Sequence, residues 1–374
     1  MFKKSVCLIN IAVLLTVFSV NCSALDTDDV SAYSAVVYCV ETGDVVFEKQ
    51  ASSVRSMAST TKIMTSIIAL ECNTPYRVVE ITDAMVNVEG TSSGLKKGDK
   101  ITLEDLVYCM LLESGNDAAN SVAMYVGGSF DAFADMMNSK AKEIGMQNTS
   151  FVTPSGLDDE NHYTTAYDMA LLTAYALENP DFVNICSQYT YEINYISPQK
   201  KVTVSNHNRL LKEYKGCIGV KTGYTKKSGR CLVSAANRDG ITLIAVTLNA
   251  WDDWNDHKKM LDYGFECMST VEADCDFSLY KVGVTGSDTS FIGVESEKVS
   301  LAVKNNTDEI TRKIYLPVFL YAPVSKGDIV GYAEYYNGEK LILRVPLTAD
   351  RQADIKTKQK YNIIDRLLSL FDSW

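Results

Sequence analysis

The stretch CIGVKTGYTKKSGRCLVSAANRDGITLIAVTLN runs from Cys217 to Asn249. It holds three runs rich in β-branched and small apolar residues, CIGVKTG, CLVSAANRDG and ITLIAVTLN. Asp239-Gly240 stands between the last two, and this pair favours the left-handed turn that closes a tight hairpin. An antiparallel sheet is therefore expected here. Far upstream, SAVVYCVETGDVVFEK (Ser34–Lys49) is two more β-rich runs around Thr42-Gly43-Asp44, a second hairpin. The intervening residues read as helices. MASTTKIMTSIIAL (Met57–Leu70), TLEDLVYCMLLESGNDAANSVAMYV (Thr102–Val126) and SFDAFADMMNSKAKEIG (Ser129–Gly145) have apolar residues at helical spacing. Thr102 with Asp105 three residues on fits an N-cap with an acid in the first turn. WNDHKKMLDYGF (Trp254–Phe265) reads as a closing helix. Strands at both ends with helices between them imply an α+β domain, its helices packed on an antiparallel sheet.

Within the first helical stretch one residue is out of place. Ile63, Ile67, Ile68 and Leu70 mark a buried face, yet Lys62 lies among them, three residues after Ser59. Residues i and i+3 share a helical face. A lysine on an apolar segment is costly unless it is paired or used. The bland alternative is a lysine that snorkels to solvent beside a serine cap.

The whole chain sets bounds. Its 374 residues allow two or three domains, and 46% apolar with 22% charged residues is ordinary for a globular protein. A net charge of −11 argues against a nucleic-acid partner, since phosphate binding needs clustered Lys and Arg. The N-terminus reads as a secretory signal peptide: Lys3 and Lys4, an apolar run from Val6 to Val20, then small residues ending at Ala24. The run is short for a membrane span. Cleavage after Ala24 would take the net charge to −13, because Lys3 and Lys4 leave with no acid. A retained anchor is the alternative. Eight cysteines lie beyond Ala24, at 39, 72, 109, 186, 217, 231, 267 and 275. Export would suggest disulfides. However, Cys72, Cys109 and Cys231 sit in apolar segments, where cysteine behaves as a small hydrophobe. His162, His207 and His257 show no ligand spacing, so no metal site is expected.

After about Met268 the pattern becomes short strand-like runs broken by Gly, Asp and Asn, which reads as a small separate β domain. The tail differs again. In YNIIDRLLSLFDSW, Tyr361, Ile364, Leu367, Leu368, Phe371 and Trp374 recur at three- and four-residue steps, an amphipathic helix. Residues 351–374 carry five bases and three acids on an otherwise acidic chain. A helix lying in the plane of a membrane surface fits this pattern, and docking on protein is the alternative. The expected organisation is 1–24 signal peptide, 25–268 catalytic domain, 269–350 small β domain and 351–374 membrane-associating tail.

Ser-x-x-Lys alone is weak, since the sequence holds it five times, starting at Ser59, Ser93, Ser139, Ser197 and Ser278. Only the first places its lysine on a strongly apolar helix. Ser114-Gly115-Asn116 follows between two helices, and Lys221-Thr222-Gly223 ends a β-rich run. These three motifs in this order are a set shared by β-lactamases and penicillin-binding proteins. With MASTTKIMT, LESGNDAAN, SGLDDENHYTTAYDMA and GVKTGYTKKSGRCLVSAA, the chain resembles the D-alanyl-D-alanine carboxypeptidases, low-molecular-mass penicillin-binding proteins. The likeness runs from about Ala32 to the C-terminus.

That resemblance implies a β-lactamase/transpeptidase-like catalytic domain and a site. Ser59 would attack the carbonyl between two D-alanines, with Lys62 taking its proton. Ser114 would relay a proton to the leaving amine. Asn116 would hold substrate and lysine, and Lys221 with Thr222 would bind the terminal carboxylate. Gly223 would leave room for a peptide to add as a strand. The N–H groups of Ser59 and Tyr224 would form the oxyanion hole. The implied substrate is a peptidoglycan stem peptide ending in D-Ala-D-Ala, with β-lactams as covalent inhibitors. The implied place is the outer face of the bacterial cytoplasmic membrane or the cell wall. No metal, nucleotide or other cofactor is implied. A cross-link endopeptidase or a secreted class A-like β-lactamase are the alternatives. His162 and Asp168 are expected to hold a loop and cap a helix, His207 to be structural or to line the cleft, and Arg230 to add charge near the carboxylate pocket. The aromatics of NAWDDW (Asn249–Trp254) either contact substrate or pack.

Overall fold

The structure is a computed structural model. It describes residues 24–72, 77–305 and 310–356, and the backbone of 6–12. The chain divides into two compact units, residues 19–270 and residues 271–374 with 1–18.

The larger unit is built on a five-stranded antiparallel sheet. Its strands are β1 (Ser34–Cys39), β2 (Asp44–Lys49), β3 (Cys217–Thr225), β4 (Gly229–Arg238) and β5 (Ile241–Ala250), in the order β2-β1-β5-β4-β3. The Cys217–Asn249 stretch thus supplies three of five strands, and the early hairpin completes the sheet against β5, pairing Tyr38 with Ile244. Both expected turns form. Asp239 and Gly240 take φ of 52° and 82°, and Gly43 takes 68°.

The helices are α1 (Lys62–Glu71), α2 (Leu103–Leu112), α3 (Asn116–Gly127), α4 (Phe130–Ile144), α5 (Ala166–Leu177), α6 (Pro180–Ser187) and α7 (Asp253–Cys267). Thr102 caps α2 by accepting from the Asp105 N–H, as its spacing implies. Strands β4 and β5 are buried on both faces, so they read as continuous apolar runs rather than alternating ones. Val36, Val233, Ala235, Ile244 and Val246 face a core shared with α1 and α2. On the other face α7 lies so close that a Cβ on Gly264 would come within 2.7 Å of Leu243 Cδ1 and 3.0 Å of Val37 Cγ1. Nearly all of α1 is buried, Lys62 included. Strand β3 forms one edge of the sheet, and the turn carrying Ser59 packs on it.

The smaller unit carries a seven-stranded sheet around Ile292, Ile314, Tyr335 and Leu347. Two details bear on the segments read from the sequence as leader and tail. The backbone of Val6–Ala12, inside the expected leader, is a strand paired antiparallel with Ile310–Pro317. Ala353, inside the expected tail, is fully buried and exchanges both backbone hydrogen bonds with Val324. The β unit therefore extends beyond residue 350, because an alternating pattern ends less visibly than a packed core. The tail's apolar face, from Tyr361 onward, lies outside the described residues. Among the described residues no helix is long and apolar enough to cross a membrane. The eight cysteines from Cys39 to Cys275 are free thiols.

Candidate active site

Ser59 and Lys62 do not lie on one continuous α-helix. Ser59 sits in a 3₁₀ turn, Ala58–Thr61, and Lys62 is the first residue of α1. A 3₁₀ turn eclipses residues i and i+3, which stacks the two side chains more closely than an α-helix does. Ala58 enters the turn with a φ of 48°, a conformation uncommon for a residue with a side chain.

The Lys62 amine reaches three oxygens: Ser59 Oγ at 2.9 Å, Asn116 Oδ1 at 2.8 Å and the Ser155 carbonyl at 2.7 Å. Two of these can only accept a hydrogen bond; the third is a hydroxyl that can also donate. A neutral amine has two hydrogens and one lone pair. It therefore satisfies all three contacts, donating to Asn116 and Ser155 and accepting the Ser59 proton. The electrostatics favour that state. Burial drives the Lys62 pKa well below its ordinary value, and the charge of Lys221 pushes it further. Asp117 acts in the opposite direction.

Asn116 is oriented from its other side, where its Nδ2 donates to the Glu89 carbonyl at 2.6 Å. The next residue, Asp117, is fully buried and gathers the Ser93 and Leu95 N–H groups and the Ser92 hydroxyl. It thereby binds the 92–95 loop to the start of α3. Ser114 takes a φ of 65° between α2 and α3, and its hydroxyl has no hydrogen-bond partner among the described residues.

Lys221 lies on β3, buried, with Nζ donating to the Thr222 carbonyl at 3.0 Å. Burial lowers its pKa to about 7. Gly223 is needed for close approach: a Cβ there would stand 3.0 Å from the Ser59 nitrogen and 3.1 Å from Ala58 Cβ. Its first demand is thus the Ser59 turn, which packs against the strand. Tyr224 follows with a side chain 66% exposed.

Arg230, paired with Tyr224 across the sheet, is bound to Asp253 at 2.9 Å, so its charge is met within the protein. His207 is solvent-accessible; partial burial and the charge of Lys221 lower its pKa. Sequence reasoning missed the loop from Pro154 to Asp158, although SGLDDENHYTTAYDMA was in view. Gly156, with a φ of 86°, allows it to touch the Ser59 turn; a Cβ there would fall 1.9 Å from the Ala58 carbonyl oxygen. Asp158 accepts from the hydroxyls of Ser56 and Thr225, both at 3.0 Å, joining the segment before Ser59 to the end of β3.

His162 does hold this loop. Its Nδ1 accepts from the Val152 and Thr153 N–H groups, so Nε2 carries the proton and donates to Thr61 Oγ1 at 2.8 Å. Thr61 in turn donates to the Ala58 carbonyl. Burial lowers the His162 pKa to about 4, keeping the ring neutral. Asp168 does not itself cap α5; Thr165 caps it, accepting from the Asp168 N–H, while the Asp168 carboxylate receives Asn148 N–H and Thr149 Oγ1. In NAWDDW, Trp254 lies under the Arg209 guanidinium, whereas Trp251 is 78% exposed.

Residues 21–252, which hold all three motifs, match the family described as D-alanyl-D-alanine carboxypeptidase. The chain belongs to this family. Residues 265–354 match the C-terminal domain of penicillin-binding protein 5. Among family members, D-alanyl-D-alanine carboxypeptidase DacF of Bacillus subtilis is 31% identical over 332 residues, covering 85% of each chain. DacC of Escherichia coli is 30% identical over 345 residues, covering 86% of this chain and 84% of that one. The crystal structure of DacD from Francisella tularensis shares the fold with a TM-score of 0.62 and 27% identity, over 91% of this chain and 97% of that one. The Streptomyces K15 DD-transpeptidase has a TM-score of 0.60 and 30% identity, over 63% of this chain and 97% of its own.

Proposed function

We propose that this protein is a serine D-Ala-D-Ala carboxypeptidase that removes the terminal D-alanine of peptidoglycan stem pentapeptides through an acyl-enzyme on Ser59. The observation that carries this is the Lys62 amine, buried, with its pKa lowered by that burial and by the charge of Lys221, and held 2.9 Å from Ser59 Oγ. As Ser59 Oγ attacks the carbonyl carbon between the two D-alanines, its proton passes to Lys62. The tetrahedral oxyanion is held by the N–H groups of Ser59 and Tyr224. Lys62 returns the proton to the leaving amine through Ser114, whose hydroxyl is uncommitted. The C–N bond breaks and free D-alanine departs, its carboxylate having been held by Lys221 and Thr222. Asn116 steadies both the amine and the peptide backbone. Water then attacks the ester and restores Ser59. A β-lactam enters at the first step and stops at the acyl-enzyme.

The substrate lies as an added strand along the open edge of β3. Export through a leader ending at Ala24, a catalytic domain over 25–268, a β domain that starts at 269 and runs on to Ala353, and a tail on the membrane surface complete this reading. It places the enzyme at the outer face of the cytoplasmic membrane. Benzylpenicillin should add its own mass to the protein and leave Ser59→Ala unmodified in an intact-mass spectrum. An adduct of equal yield on Ser59→Ala would overturn the assignment.

A further inference from the structure

The smaller unit carries an exposed aromatic cluster that the proposed mechanism does not use. It lies along one edge of the seven-stranded sheet, on β6 (Lys281–Thr285), β7 (Phe291–Glu295) and β8 (Phe319–Tyr321), with β8 as the edge strand. Side chains alternate across a strand. Val282, Val284, Ile292 and Val294 are buried in the core of the unit, so Gly283 and Phe291 face outward. The register puts Phe291, Gly283 and Phe319 in one row across three strands, and Thr285 with Tyr321 in the next.

Phe291 is 60% exposed, Phe319 46% and Tyr321 72%. The three are contiguous rather than scattered. A Cβ on Gly283 would lie 3.8 Å from Phe291 Cε1 and 3.9 Å from Phe319 Cβ, so this glycine floors the gap between two rings. Tyr321 meets Phe319 edge to face, with ring centroids 5.2 Å apart. Lys281 and Glu295, farther along the same face, are exposed and give the cluster a charged rim. The three rings leave roughly 350 Å² in water. An apolar patch of that size with a polar rim marks a contact surface for protein or membrane.

The course of the chain selects the membrane. Thr285 is followed by Gly286, whose carbonyl accepts from the Lys356 N–H at 2.7 Å, and the Lys356 amine is bound to Asp288 at 2.9 Å. The chain is thus fixed one residue from the Tyr321 row, just before the amphipathic run that opens at Tyr361. The five residues from Lys356 to Tyr361 span at most about 17 Å. A tail lying on a bilayer from Tyr361 onward therefore keeps this corner of the β unit at the surface. Ile355, 61% exposed, adds apolar area at the same place. Tyrosine, with an apolar ring and a polar tip, suits the boundary between headgroups and acyl chains.

We propose that Phe291, Phe319 and Tyr321 form a second membrane contact, inserting at the headgroup–acyl boundary of a phospholipid bilayer beside the tail. This rests on the proposed seat of the tail at the membrane surface. Two weak contacts on one chain multiply through effective concentration. Together they also set the orientation of the β unit to the bilayer, which the tail alone does not.

The test is sedimentation of the full chain with vesicles of phosphatidylglycerol and phosphatidylethanolamine, for wild type and for the triple variant Phe291→Ser, Phe319→Ser, Tyr321→Ser. Partitioning of the triple variant should fall at least about tenfold, with D-alanine release from a soluble peptide unchanged. A second readout keeps the cluster aromatic: Phe319→Trp in a Trp374→Phe background. Its emission should shift to the blue on adding vesicles and be quenched by brominated lipid, relative to Trp374→Phe alone. Equal partitioning of triple variant and wild type, or Phe319→Trp emission that lipid leaves unchanged, would overturn the contact and leave the tail reading standing. If a protein ending at Lys356 binds vesicles as the full chain does, and loses that binding with the triple substitution, the tail reading falls and the cluster stands. A wild type that ignores vesicles but self-associates, and whose self-association the triple substitution abolishes, would overturn the membrane contact and make the cluster an interface between copies.

Discussion

At the scale of single residues, the proposed mechanism needs two buried lysines in opposite charge states. Lys62 must be neutral to accept a proton, and its lowered pKa brings the neutral form toward working pH. Lys221 must be cationic to hold a carboxylate, and burial has brought its pKa to about 7. Because the two amines repel, their titrations are coupled and belong to the pair. The kcat/KM profile of D-alanine release should therefore be bell-shaped, rising as Lys62 deprotonates and falling above about pH 7 as Lys221 does. Arginine keeps its charge throughout this range. Lys221→Arg should carry the alkaline limb upward by a unit or more while leaving the acid limb, even if the rate drops. An alkaline limb that stays in place would show that another group sets it. The same burial has a cost in stability. Below about pH 7 the folded protein carries a buried charge on Lys221, and above it the folded amine is neutral while the unfolded one stays protonated. The uncharged, similarly shaped Lys221→Met should raise Tm most below pH 7, with the gain shrinking as pH climbs toward the ordinary lysine range. A Tm lower than wild type at pH 6 would contradict this.

At the scale of elements, the Ser59 turn is held from three sides: by β3 through Gly223, by His162 through Thr61, and by the Ser155–Gly156 loop. Gly156→Ala would drive a methyl into the Ala58 carbonyl at a backbone φ that alanine resists. We expect a loss of about 2 kcal/mol or more in stability, and penicillin acylation slowed at least about tenfold in the folded fraction. Acylation at the wild-type rate would mean that the loop does not support the turn. The sequence marks Lys62 as a charge in an apolar run, and Ser59, Asn116 and Lys221 only through their three motifs in order. It conceals Ser155, Gly156 and Asp158, because a carbonyl oxygen, an absent side chain and an exposed acid look like any loop. It also misleads on the Ser59 helix. Periodicity cannot separate a 3₁₀ turn from the first turn of an α-helix, and here Ala58 decides the matter through its backbone.

At the scale of the molecule, the order of strands and helices carries the architecture of the catalytic unit, since the two hairpins can share a sheet only by pairing end with beginning. The smaller unit is less readable. Its last buried residue among those described, Ala353, lies beyond where the alternation fades. The boundary matters for the tail. A protein ending at Lys356, whose N–H bonds to the Gly286 carbonyl, keeps the β core intact. It should release D-alanine at the full-length rate and no longer sediment with anionic lipid vesicles, whereas the full chain should bind them. Equal vesicle binding by both forms would assign membrane contact to another surface.

The most direct test is D-alanine release from a diacyl-Lys-D-Ala-D-Ala peptide by the purified protein, beside Ser59→Ala. The account predicts steady release by the wild type and a fall of about 10⁴-fold or more in the variant. Release that survives in Ser59→Ala, or none from a wild-type protein that penicillin still acylates, would contradict it.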